Sequence, residues 1–210
     1  MRYKRNQLEN AICQTFGAEG PRARELKLRL KRLLVTDRRL AHRNRPGKRF
    51  AFYSQEAPGS GIEVMFTGYE AFAVLAGLLL LEHGIPQATV VNILRQLRSD
   101  LEAAHRETLE KDPRVLFNQK ALQANAKPGM IATDNTVPVF LVLVKLPDST
   151  VARVHEVMAV CRGHDEMVAF LKKYSGPGLG STTFEFVGLM HRLATNLAQT
   201  HPIKRGRSTI

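Results

Sequence analysis

Apolar positions recur along the chain with different periods, and those periods predict the elements. Leu8, Ala11, Ile12 and Phe16 stand at helical intervals, so a first helix is expected over 3–16, closed by Gly17 and Gly20. Pro21 suits the opening position of a second helix, whose apolar stripe of Leu26, Leu30, Leu33 and Leu34 runs to about Val35. The short aromatic run 49–54, the turn-forming stretch 57–61 and the run 62–67 together predict a β-hairpin. A strongly apolar helix over 69–83 follows, starting at Thr67 or Gly68 and ended by Gly84. Val90, Val91, Ile93, Leu94, Leu97, Leu101 and Ala104 then share one face, predicting a long helix from Gln87 to about Lys111.

Beyond Asp112 and Pro113 the pattern changes. Residues 122–129 are polar and turn-rich, whereas 137–146 is a nearly continuous apolar run rich in β-branched Val, as in a strand buried on both faces. The stretch 151–161 fits a strand or a short helix equally. A helix is expected over 165–174, a connector over 176–180, and a last helix to about Gln199, capped by Thr182 or Thr183 with Glu185 in its first turn. The expected class is α+β, mainly helical: residues 1–111 form one region, 112–200 a small α/β region for sensing or assembly, and 201–210 a basic tail.

Composition narrows the function. With 210 residues and 44% hydrophobic content the chain can bury a core. No apolar run reaches the roughly 18 to 20 residues of a membrane span, the best candidate being 72–81, and the charged opening residues lack the apolar centre of a signal peptide. Cys13 and Cys161 provide neither a disulfide framework nor a metal-ligand pair, so a cytoplasmic protein without a membrane partner is expected.

Charge gives the sharpest lead. The net charge is +12, and residues 1–50 hold fifteen Lys and Arg against four acids, while 51–200 hold thirteen against fifteen. The last ten residues add three cations and no acid. A large, localised positive field attracts polyanions, and guanidinium groups match phosphate oxygens. The candidate phosphate contacts are Arg22, Arg24, Lys27, Arg29, Lys31, Arg32, Arg38, Arg39, Arg43, Arg45, Lys48 and Arg49.

No catalytic constellation competes with this. The seven histidines include no pair at the i, i+4 spacing of a helical metal site. Cys161, His164, Asp165 and Glu166 lie close in sequence, but acids there are better explained as helix-start residues. The glycines of 176–180 lack the Lys-Ser or Lys-Thr of a phosphate loop. An enzyme is not expected, nor a metal or cofactor.

The stretch 30–38, followed by the basic loop and by Phe50, Ala51, Phe52 and Tyr53, resembles a helix feeding the wing of winged helix-turn-helix regulators, over about a third of the chain. Residues 84–95 resemble the turn and second helix of a helix-turn-helix unit. In an alternative arrangement, similar to MerR-like regulators, the later helices support the first module and the long helix makes a dimer. The resemblance implies an N-terminal winged-helix-like module and a sequence-specific, double-stranded DNA-binding transcriptional regulator, acting as a homodimer. It also implies that Gln87, Thr89, Asn92 and Arg95 face base edges. An RNA-binding or ribosome-associated protein using the same cations is the alternative, weakened by the scarcity of aromatic residues and the lack of Trp. Whether the C-terminal half takes a small ligand stays open.

Overall fold

The computed structural model describes residues 1–43, 50–54, 64–118, 120, 123–124, 137–146, 155–174, 176 and 179–201. The architecture is α+β and mainly helical. The chain forms two compact units, Met1–Arg98 with Arg192–Ile210, and Ser99–His191.

The first unit is built on a helix that is apolar all round, as a central helix must be. This is α3, Gly68–Glu82, in which every residue from Tyr69 to Leu78 is buried. Thr67 caps it, accepting a hydrogen bond from Glu70 N at 3.1 Å while the Glu70 carboxylate accepts from Thr67 N at 2.7 Å. Against α3 pack α2, Gly20–Arg43, and α4, Gln87–Gln96. Gly77 makes the close approach possible: a Cβ there would stand 3.3 Å from Leu33 and Leu94 and 3.4 Å from Phe52. Helix α1, Arg5–Thr15, contributes Leu8 and Ile12 to the core, and left-handed Gly17 and Gly20 turn the chain into α2.

Three sequence expectations change here. The first is the hairpin. Strand β2, Met65–Phe66, pairs antiparallel with β1, Tyr3–Lys4, and Phe50–Ser54 forms no strand. Its backbone is satisfied by charged side chains instead. Asp37 accepts from Ala51 N and Phe52 N at 3.2 and 3.1 Å, Glu70 accepts from Ser54 N, and Arg98 donates to the carbonyls of Phe50 and Tyr53. The predicted turn at 57–61 lies outside the described residues.

The second is the length of α2, which runs past Val35 to Arg43 because Asp37 and Ala41 prolong its inward face. The third is the long helix over 87–111, which is two. Leu97 ends α4, and α5 occupies Arg98–Leu109, the break falling where Arg98 turns toward the carbonyls of Phe50 and Tyr53.

The second unit carries a three-stranded antiparallel sheet in the order β4-β3-β5. Central β3, Val139–Leu146, is flanked by β4, His155–Arg162, and β5, Gly180–Glu185. Val139 through Val144 are all buried, as a continuous apolar run with two covered faces requires. Helix α6, Pro113–Leu116, starts from an Asp112 cap that accepts from Arg114 N at 2.8 Å. Helix α7, His164–Lys173, lays Met167, Phe170 and Leu171 over Phe140, Val142, Val144 and Cys161. The undecided stretch 151–161 resolves in its described part as β4.

Thr182 and Thr183 are strand residues, paired with Leu143 and Val142, and not the cap of the last helix. That helix, α8, begins only at Val187 and runs to Gln199; the Glu185 carboxylate accepts from Val187 N at 2.7 Å. The β-branched threonines extend the sheet and Phe184 turns inward, which outweighs their capping tendency.

Candidate nucleic-acid interface

Helix α2 is long because its inward stripe persists, and that stripe determines what faces outward. Leu26, Leu30, Leu33, Leu34, Asp37 and Ala41 point into the unit. At about 100° per residue, the opposite side is a narrow face with three lanes. Arg24 and Lys31 lie on one flank, Arg32 and Arg39 on the other, and Leu28 and Val35 on the ridge between them. All six are exposed, with Leu28 at 47% and Val35 at 54%. Among the described residues no ion pair engages Arg24, Lys31, Arg32 or Arg39. From Arg24 to Arg39 the face extends about 22 Å at 1.5 Å per residue.

The start of α4 borders this face. The Gln87 side chain donates to the Arg32 carbonyl at 2.7 Å and to the Thr36 hydroxyl, tying the two helices together. Between them lies a shallow groove of about 400 Å³, lined by Leu28, Lys31, Arg32, Val35, Thr36, Arg39, Gln87 and Ala88.

The remaining predicted contacts are less available. Arg22 faces Glu82 at 3.7 Å, and half-buried Lys27 donates to Asn10 at 3.5 Å. Arg29 pairs with Glu25 one turn earlier, and half-buried Arg38 stacks over the Tyr53 ring at 5.2 Å. Arg43 closes α2, while its side chain and Arg45, Lys48 and Arg49 lie outside the described residues.

On α4, Asn92 is exposed and Thr89 half-buried. Arg95 and Gln87 are turned toward α2 rather than outward. Arg95 is 11% exposed and meets the fully buried Asp37 at 2.6 Å. A carboxylate in an apolar interior must be paired, and Arg95 with two backbone N–H groups does this. Arg95 therefore serves the fold, holding α2, α4 and the Phe50–Ser54 segment at one point.

Sequence reasoning missed this role of Asp37, Glu70 and Arg98. The signal was there for two of them: Asp37 falls on the inward stripe of α2, and Thr67 with Glu70 has capping-box spacing. It also missed the outward Leu28 and Val35.

In the second unit, Cys161, His164 and Glu166 each have a structural surrounding. Burial pushes the Cys161 thiol up, away from the reactive thiolate, and Glu166 adds to this. Glu166 itself accepts from Arg162 N at 2.7 Å, and the His164 ring meets Phe140 edge-on at 5.3 Å between centroids. Among the described residues no group of His, Cys, Asp and Glu could hold a metal ion. Nor is any described helix long and apolar enough to cross a membrane. No family model matches the chain, and no curated protein and no solved structure matches it.

Proposed function

We propose that this chain is a sequence-selective, double-stranded DNA-binding protein of the transcription-regulator kind, acting in the cytoplasm as a homodimer, and that the outer face of α2 is its principal contact surface. One observation carries the reading: Arg24, Lys31, Arg32 and Arg39 project from one face, with no ion pair to an acid among the described residues. An α-helix is about as wide as the major groove, roughly 12 Å. Cations on its two flanks then stand opposite the two phosphate walls, and each phosphate neutralised releases condensed counterions. The concentration of the chain's positive excess in residues 1–50 supports the same surface.

The test is the salt dependence of duplex binding. Replacement of Arg24, Lys31, Arg32 or Arg39 by Ala should lower the slope of log K against log salt by about 0.9 each. Arg95→Ala should leave the slope unchanged and reduce stability instead. Slopes unaffected by the four α2 substitutions would reject the surface. Selection from random duplexes at about 0.15 M salt, where backbone-only binding is weakened, should recover a palindrome if a symmetric dimer reads it; preference for structured RNA would favour the alternative partner.

A further inference from the structure

We infer that Leu28 and Val35 are the specificity-determining residues of this surface, and that they recognise the C5-methyl groups of thymine on the floor of the major groove. The inference rests on the DNA-binding reading above and names what that surface would read.

Two large aliphatic side chains stand half in water on the otherwise charged side of this helix. Core packing does not explain them, since the inward stripe is already complete with Leu26, Leu30, Leu33 and Leu34. Their placement is also ordered. Both lie on the ridge, with Arg24 and Lys31 to one side and Arg32 and Arg39 to the other. When the flanking cations meet the phosphate walls, the ridge between them faces the base edges.

The base edge that suits an aliphatic ridge is thymine's, because the thymine methyl is the apolar group each A·T pair presents in the major groove. A ridge without hydrogen-bonding groups gains nothing from the donors and acceptors of guanine and cytosine. The seven-residue spacing puts the two side chains about 10.5 Å apart along the helix axis. A helix lying along the groove is inclined to the duplex axis, so this spacing spans about two to three base-pair steps. The basic flanks favour a polyanion over a neutral apolar partner. An acidic amphipathic helix of another protein is the competing occupant, and the test separates it.

The experiment compares two duplexes of identical A·T-rich sequence, one with thymidine and one with deoxyuridine throughout, so that only the methyl groups differ. The full chain should bind the thymidine duplex more tightly, by about fourfold for each methyl removed from water. In the Leu28→Ala, Val35→Ala double variant the two duplexes should bind alike, with the salt slope unchanged. Both residues are exposed, so this variant should unfold at the same denaturant concentration as the parent.

Equal binding of both duplexes by the parent, with its salt slope intact, would overturn methyl recognition and leave the DNA-binding reading standing. A methyl preference that survives the double substitution would also overturn it. Binding to neither duplex would reject both readings, and tight binding of an acidic amphipathic peptide through Leu28 and Val35 in that event would assign the ridge to a protein partner.

Discussion

A buried carboxylate is the most consequential single group in the first unit. Asp37 is fully buried, and its two oxygens serve Arg95 and the N–H groups of Ala51 and Phe52. Asp37→Ala removes the countercharge of the largely buried Arg95 and the acceptor of two backbone N–H groups, so a loss of about 3–5 kcal/mol is expected in urea unfolding. A second residue couples the fold to acid. Burial depresses His105 from 6.5 to about 4, with His191 adding repulsion. Burial also holds His191 below its ordinary value, against the pull of Asp112. The unfolded chain therefore binds a proton between pH 6.5 and 4 that folded His105 refuses. Its stabilisation is complete above about pH 6.5 and falls away toward pH 4, by about 3 kcal/mol in total. A His105→Gln variant should show a correspondingly shallower acid limb; an identical limb in both proteins would show that His105 is not its source.

Among the elements, those with one strong period were legible and those with borrowed partners were not. Helices α1 and α3 and strand β3 each follow from apolar spacing or from a continuous Val-rich apolar run. The hairpin failed because a short aromatic run reads as a strand whatever satisfies its backbone. Here Asp37, Glu70 and Arg98, distant in sequence, replace the ladder. The α4–α5 break was invisible because Leu94, Leu97 and Leu101 keep the helical interval across it. Thr182 and Thr183 suit both a cap and a strand, and only pairing with β3 decides. The junction of α2, α3 and α4 also makes a prediction. Leu33, Leu94 and Phe52 crowd the position that a Cβ on Gly77 would take, so Gly77→Val should destabilise by about 1–3 kcal/mol, read from the unfolding midpoint. No change there would mean that the three helices can separate without cost.

At the scale of the whole molecule, charge segregation is legible in the order of residues alone: the excess belongs to the first fifty. Which cations face outward is not, because it depends on Asp37 and Ala41 carrying α2 beyond Val35. The first unit is also discontinuous. Gln7 donates to the Thr200 carbonyl at 2.8 Å and Asn196 to Thr15 at 3.0 Å, while Leu193 and Leu197 are buried. Ending the chain after His191 should strip these from α1 and lower the hydrogen-exchange protection of its amides. Full protection in the shortened chain would show that α1 is held without them.

That closure by late residues has a consequence during synthesis. Helix α2, with its cations, leaves the ribosome early, yet its unit cannot be completed until residues 192–201 emerge. At about 5–20 residues per second, the ninety-odd residues between the two parts impose a delay of roughly 5–20 s. During that interval the nascent chain carries its positive charge on an unfinished unit, surrounded by ribosomal RNA. A chain stalled in the second unit would hold that charge on a unit whose α1 still lacks its hydrogen bonds to Asn196 and Thr200.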